Sequence, residues 1–186
     1  MNKHIISLAG DIASGKGTVS KILAKKLDYK IYRNGEYARS LAKELNINIK
    51  DFNIYLNSHP EIDLQIEQSA KEYSENNDNF IIDARLGWYA VPQSFKVYLT
   101  VDLTEAAKRL TNSNSRGDVE KYISLEHAKK EIAERFRLEN ERYFNLYQVK
   151  KDDMNNYDLV IDTTKNSPEK VSKLIYNKYN EWLKNI

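Results

Sequence analysis

The sequence predicts a three-layer α/β domain built on a parallel sheet, and three observations carry that prediction. Short runs rich in Ile, Val, Phe and Tyr recur along the chain. Segments with helical spacing lie between them, and the first run ends in a glycine-rich turn that leads directly into an amphipathic stretch. Strands alternating with helices imply parallel neighbours covered on both faces, right-handed crossovers and a ligand at the carboxyl ends of the strands. The expected strands are HIISLA (4–9), FIIDA (80–84), KVYLTV (96–101) and YDLVID (157–162), with YKIYR (29–33) a weaker candidate.

The helices follow from their apolar spacing. Val19, Ile22, Leu23 and Leu27 form one stripe, with Lys21, Lys25 and Lys26 facing elsewhere. Residues 35–75 read as helical, with breaks near 46–50 and at His59-Pro60. Ala128, Ile132, Phe136, Tyr143 and Tyr147 share one face of a long helix. Ser167-Pro168-Glu169 supplies a cap followed by proline at the first helical position, and the helix after it presents Val171, Leu174, Ile175, Tyr179 and Trp182.

A chain of 186 residues suits a single domain with a proper core. Its 29 Lys and Arg against 27 Asp and Glu leave a net charge of +2, too little for a broad surface aimed at nucleic acid or membrane. With no cysteine, a disulfide framework and a thiolate zinc site are excluded. The apolar N-terminal run is short and continues into the glycine turn, unlike a signal peptide, and no stretch reaches membrane-spanning length. The expectation is a soluble cytoplasmic monomer without nucleic-acid or membrane partners.

The chemistry begins at "LAGDIASGKGT". Gly10, Gly15 and Lys16 satisfy the G-x-x-x-x-G-K pattern between a strand and a helix. Glycines let backbone N–H groups turn inward around phosphate oxygens, the helix start adds its positive dipole end, and Lys16 adds a point charge. The expected phosphate-binding residues are Gly10, Asp11, Ile12, Ala13, Ser14, Gly15, Lys16, Gly17 and Thr18. Gly17 stands where the usual pattern has a hydroxyl for Mg²⁺; Thr18 comes one place later, so the metal would rest mainly on nucleotide phosphates and water. The GKGT form is that of the nucleoside monophosphate kinases. "YRNGEYARSL" resembles their monophosphate-binding segment, through Gly35 and Arg39.

Arg85, in "IIDARLGW", falls just past a strand's carboxyl end, where a guanidinium fork suits a dianionic phosphate. Asp83 reads as a water-mediated Mg²⁺ ligand, as a base, or as a structural partner of a nearby arginine. Arg135 and Arg142, seven residues apart on a helix, share a face and, with Arg109 and Arg116, are candidates to close over the phosphates. The alternative for "ERFRLENER" is a solvated ladder of Glu–Arg pairs, and for Arg109 the end of a short helix. Trp88, Tyr37 and Tyr55 could flank a base or simply pack; His4, His59 and His127 are scattered and carry no assigned role.

Together, SGKGT, the Gly35…Arg39 segment, "IIDARL", the Arg135-Glu139-Arg142-Tyr143-Tyr147 pattern and "YDLVIDTTKNSPEKV" resemble the archaeal-type cytidylate kinases over about residues 4–175. The resemblance implies a five-stranded parallel sheet of order 2-3-1-4-5 with the P-loop NTPase fold. It also implies a single domain: a core (1–33, 78–108, 155–186), a monophosphate-binding flap (34–77) and a lid with its following helix (109–150). The implied activity is γ-phosphate transfer from ATP to CMP or dCMP. The residues from Gly10 to Thr18 would bind ATP. Lys16, Arg85, Arg135 and Arg142 would be catalytic, Gly35, Arg39, Asp83 and Arg85 would bind the acceptor, Thr18 and Asp83 would reach Mg²⁺ through water, and the Thr163–Ser167 turn would lie near the adenine. The loop lacks the prolines and second glycine common before SGK, and DARLGW replaces the usual segment after the third strand. Two alternatives stay open: a small-molecule hydroxyl kinase with Asp83 as base, and an ATP-binding regulatory module without transfer activity.

Overall fold

The computed structural model describes residues 3–47, 49–112 and 124–185. Five strands, β1 (Ile5–Gly10), β2 (Lys30–Arg33), β3 (Phe80–Asp83), β4 (Phe95–Thr100) and β5 (Leu159–Asp162), form one sheet in the order β2-β3-β1-β4-β5. Every pairing is parallel. Among the described residues, eight α-helices connect and cover them: α1 (Lys16–Leu27), α2 (Asn34–Glu44), α3 (Ile49–Ser58), α4 (Pro60–Asn76), α5 (Gly87–Ala90), α6 (Leu103–Asn112), α7 (Leu125–Tyr147) and α8 (Pro168–Leu183). None of the described helices is long and apolar enough to cross a membrane.

The central strands are apolar on both faces because both faces are covered. On one side Ile6, Leu8, Ile81, Val97 and Leu99 meet Val19 and Leu23 of α1 and Val171, Ile175 and Tyr179 of α8. On the other, Ile5, Phe80 and Ile82 meet Ala70 of α4 and Val91. Each such large side chain, fully buried, contributes roughly 1.5–3 kcal/mol. Ser167 caps α8 by accepting from the Lys170 N–H at 3.3 Å, with Pro168 at the first helical position.

Two smaller clusters support the segments between strands. Ala42, Phe52, Leu56 and Ile66 tie α2, α3 and α4 together between β2 and β3. Ile12, Ala106, Ala107, Leu110, Ala128 and Ile132 join the loop after β1 to α6 and α7. The expected stripes hold with two corrections. Leu174 on α8 faces solvent at 42% exposure, and the inward row of α7 runs Ala128, Ile132, Glu139, Tyr143, with a carboxylate inside it.

The register sets the site. Arg33 pairs across β2–β3 with Asp83, Leu8 across β1–β3 with Asp83, and Thr100 across β4–β5 with Asp162. The carboxyl ends are therefore aligned, and the charged residues that end β2 and β3 become neighbours.

Candidate active site

The turn from β1 into α1 is shaped by two glycines. A Cβ on Gly10 would lie 2.6 Å from the Leu99 carbonyl oxygen and 2.9 Å from Ser14 Oγ, so no side chain fits there. Gly15 takes the left-handed conformation (φ 83°) at the N-cap of α1, where a Cβ would meet open space, so its backbone angle imposes the requirement. Beyond it the first-turn N–H groups of α1 face the loop, as at any helix start, together with the positive end of the helix dipole.

Charged groups from several elements gather beside this turn. Lys16 Nζ donates to Asp83 Oδ1, and Arg33 Nε lies 3.7 Å from Asp83 Oδ2. Arg85 donates from Nη1 to the Gly10 carbonyl at 2.6 Å and from Nε meets Glu139 Oε2 at 3.2 Å. Arg135 Nε donates to Glu139 Oε1 at 3.2 Å, and Lys151, from the segment after α7, donates to Oε2. One turn on, Arg142 Nε lies 2.6 Å from Asp63 Oδ2 of α4, a close ion pair without hydrogen-bond geometry. Burial alone would raise the Glu139 pKa; Arg85, Lys151 and Arg135 outweigh it and hold the carboxyl well below its ordinary range.

A recess of about 210 Å³ lies beside the loop, between Ser14, Gly15, Val19, Arg109, Thr163 and Asn166. Arg109 forms its wall. Its guanidinium donates to the carbonyls of Ala13 (3.2 Å) and Thr163 (2.7 Å), binding the loop to the turn after β5.

A profile of the cytidylate kinase-like family matches residues 5–165. The chain belongs to the cytidylate kinase-like family. Its relatives include the cytidylate kinases of Thermoplasma volcanium (36% identical, 95% of this chain and 91% of the relative), of Thermoplasma acidophilum (33%, 95% and 92%) and of Pyrococcus abyssi (33%, 92% and 91%). In fold the chain is similar to shikimate kinase from Bacteroides thetaiotaomicron, with a TM-score of 0.65 at 14% identity over 97% of this chain and 98% of that one. An uncharacterized protein from Eubacterium ventriosum gives 0.69 at 18% identity over 96% and 99%. These solved structures bear on the fold alone.

Within this member of the cytidylate kinase-like family the residues singled out from sequence separate into groups. Lys16 pairs with Asp83, Arg85 and Arg135 share Glu139, and Arg142 pairs with Asp63 of α4. Arg39 does not join them: it is exposed, with Nη1 3.5 Å from where a Cβ on Gly35 would sit. Asp11 turns away from the loop's interior. Its Oδ1 accepts from the Tyr98 hydroxyl at 2.7 Å, its Oδ2 from the Val101 N–H at 3.0 Å, and its own N–H donates to the Leu99 carbonyl. The Ile12 side chain is core, not lining. Thr18 and Gly17 are exposed in the first turn of α1, and Ala13 is held at φ 62°. Ser14 Oγ is buried and unpartnered among the described residues.

Trp88 packs edge-on against Tyr89 and Tyr157, Tyr55 stacks on His59, and the Tyr37 hydroxyl accepts from Gln65. Arg116 lies outside the described residues. The solvated ladder expected for "ERFRLENER" is real, but it belongs to Glu134, Arg137 and Glu141. Arg109 does lie in the last turn of a short helix, and it does more than end it. Sequence reasoning missed Arg33, Asp63, Glu67 and Lys151. Only Arg33 carried a usable signal, as the charged end of a strand candidate.

Glu67 adds a titration that can be measured. It is buried beside Asp63, and Oε1 accepts from Asn34 Nδ2 at 3.2 Å. Burial, and then the Asp63 charge, push its pKa up to about 8 from an ordinary 4.5. The folded chain thus keeps a proton that the unfolded chain has lost between these values. Stability contributed by this group is fully present below about pH 4.5 and declines as pH rises to about 8. Glu67→Gln, which cannot ionise, is expected to match the parent at pH 5 and exceed it at pH 8 by about 3 to 5 kcal/mol. Urea denaturation at the two pH values checks this; equal stability differences at both would place the titration elsewhere.

Proposed function

We propose that the chain is an ATP-dependent kinase that transfers the γ-phosphate of ATP to CMP or dCMP, giving CDP or dCDP. The observation that carries the reading is that one guanidinium, Arg85, donates to the Gly10 carbonyl of the phosphate loop while meeting Glu139 of α7 and, through it, Arg135. A group that joins the donor loop to a helix carrying further arginines suits phosphoryl transfer between two bound nucleotides. The named relatives, cytidylate kinases aligned over nearly the whole chain, support the same substrate class.

In this reading the turn from Gly10 to Thr18 holds the ATP phosphates, with the Gly15–Lys16–Gly17 segment nearest them. Ser14 Oγ, buried and unpartnered among the described residues, is a ready donor there. The recess walled by Arg109, Thr163 and Asn166 takes the adenine. Arg85 with Arg135 takes the acceptor phosphate and the transferring group; Arg142, Gly35 and Arg39 complete the acceptor side when the segments between strands close. These segments are 34–77 as flap and 109–150 as lid, around a core of 1–33, 78–108 and 155–186. An acceptor phosphate oxygen attacks the γ-phosphorus, the bond to the β,γ-bridging oxygen breaks, and ADP leaves with that electron pair. No protein base is needed, because the attacking oxygen is already anionic.

The donor set fits Mg²⁺ brought in with the nucleotide. Among the described residues no three His, Cys, Asp or Glu side chains gather to hold a metal, and Asp83 is covered by Lys16 and Arg33. An ion carried on phosphate oxygens and waters, reached through water by Thr18 and Asp83, suits such a site, because Mg²⁺ keeps its waters. When bound it neutralises charge on the β- and γ-phosphates.

The test is ADP release with ATP–Mg²⁺ against CMP, dCMP, UMP, AMP, GMP and dTMP separately. Turnover confined to CMP and dCMP is expected. Turnover with another monophosphate keeps the mechanism and overturns the substrate; an ester product from an alcohol, or ATP binding without transfer, overturns the reading.

A further inference from the structure

A carboxylate placed among the arginines of a phosphate site is a problem for that site. Glu139 is buried, at 7% exposure, and shares its two oxygens among Arg85, Arg135 and Lys151. In the ligand-free chain it satisfies and orients both guanidiniums. Once a phosphate arrives it competes for them, and if both leave, a buried carboxylate is stranded at considerable cost. Some other cation has to remain on it.

Lys151 is built to remain. It is 3% exposed, and its ammonium lies 4.4 Å from the centre of the Phe136 ring as well as on Glu139. Its backbone is fixed independently of the sheet ends. The Tyr157 hydroxyl donates to the Lys151 carbonyl at 2.6 Å, and Asn140 Nδ2 donates to Asp152 Oδ1 at 3.0 Å, pinning the turn to α7. Three cations around one anion leave a surplus of two positive charges, the complement of a phosphate dianion.

We propose that Lys151 is a positioning residue for phosphoryl transfer: it retains Glu139 when Arg85 and Arg135 turn to the phosphate, so that the carboxylate sets the arginines without holding them back. Burial lowers the Lys151 pKa while Glu139 supports its charge, so each member of the pair depends on the other in the apolar interior. The inference rests on the reading of this cluster as a phosphate site.

The experiment compares Lys151→Met, Glu139→Gln and the double variant with the parent. It measures KM for the accepted monophosphate, KM for ATP, kcat, and, without turnover, inorganic phosphate affinity by calorimetry with ADP in the donor pocket. Lys151→Met is expected to raise the acceptor KM at least tenfold and weaken phosphate binding in proportion, with the ATP KM within twofold. Glu139→Gln/Lys151→Met is expected to return to within threefold of Glu139→Gln alone, because no carboxylate then needs a keeper. Equal losses on both substrates, or a double variant worse than Lys151→Met, would overturn the proposal. Should Lys151→Met not fold, the double variant against Glu139→Gln decides: equal acceptor KM supports the role, and a tenfold rise overturns it. Phosphate binding that follows this pattern in a chain that turns over no monophosphate would sink the kinase reading and leave the positioning role standing.

Discussion

Arg85→Ala lowers kcat/KM for the acceptor monophosphate by roughly 10³-fold, about 4 kcal/mol of transition-state stabilisation, while the ATP KM stays within about threefold. The guanidinium is held between the Gly10 carbonyl and Glu139, and in the proposed reaction it takes the acceptor and transferring phosphates. The fold survives because Glu139 keeps Lys151 and Arg135, and the recess beside the loop is held by Arg109 instead. Arg85→Lys restores only part of the loss, since an ammonium cannot donate to carbonyl, carboxylate and phosphate with one planar fork. Steady-state kinetics with each substrate varied in turn is the check. A loss shared equally by ATP and acceptor would mean that Arg85 supports the loop and does not bind the acceptor.

Lys16→Met is expected to reduce transfer to every monophosphate by at least about 10³-fold. It also has a structural effect of its own. Lys16 is the hydrogen-bonded partner of the buried Asp83, which would be left with Arg33 at 3.7 Å. Leaving that carboxylate poorly paired costs about 3 kcal/mol of stability. Adding Asp83→Asn removes the stranded charge. The double variant is therefore expected to regain most of the thermal stability and none of the turnover, measured by calorimetric unfolding beside the ADP-release assay. Recovery of turnover would show that Lys16 acts only through Asp83.

The layers, the strand positions to within one or two residues and the helix breaks were legible because they follow from local patterns. Runs such as FIID have to be covered on both faces, and His59-Pro60 and Ser167-Pro168 mark helix boundaries by local chemistry, proline backbone and a serine cap. The strand order 2-3-1-4-5 came from the family resemblance, and the pairings bear it out. The phosphate loop was legible for a similar reason: Gly10 and Gly15 are demanded by close approach and by backbone angle. What could not be read was which charge meets which. Arg135 and Arg142 share one helix face, yet they part to Glu139 and Asp63, which belong to different elements. Lys151 sits in a polar segment of ordinary composition, and only the docking of that segment onto α7 buries it. Asp11 stood in the expected ATP-binding run, but Tyr98 of β4 and Val101 just beyond it supply two donors that hold its carboxylate.

That last contact changes how the nucleotide and the fold depend on each other. A loop without stiffening prolines takes its shape from Tyr98, Leu99 and Val101, all on or just beyond β4, so the loop is shaped only once that strand has docked. Chains that have not assembled the sheet have nothing with which to grip a triphosphate. Ligand binding energy then falls entirely on the assembled state, and mass action applies in full: nucleotide at a thousand times its dissociation constant adds about 4 kcal/mol to the resistance against unfolding. In a cell well supplied with ATP, the substrate is also the molecule's conformational preservative.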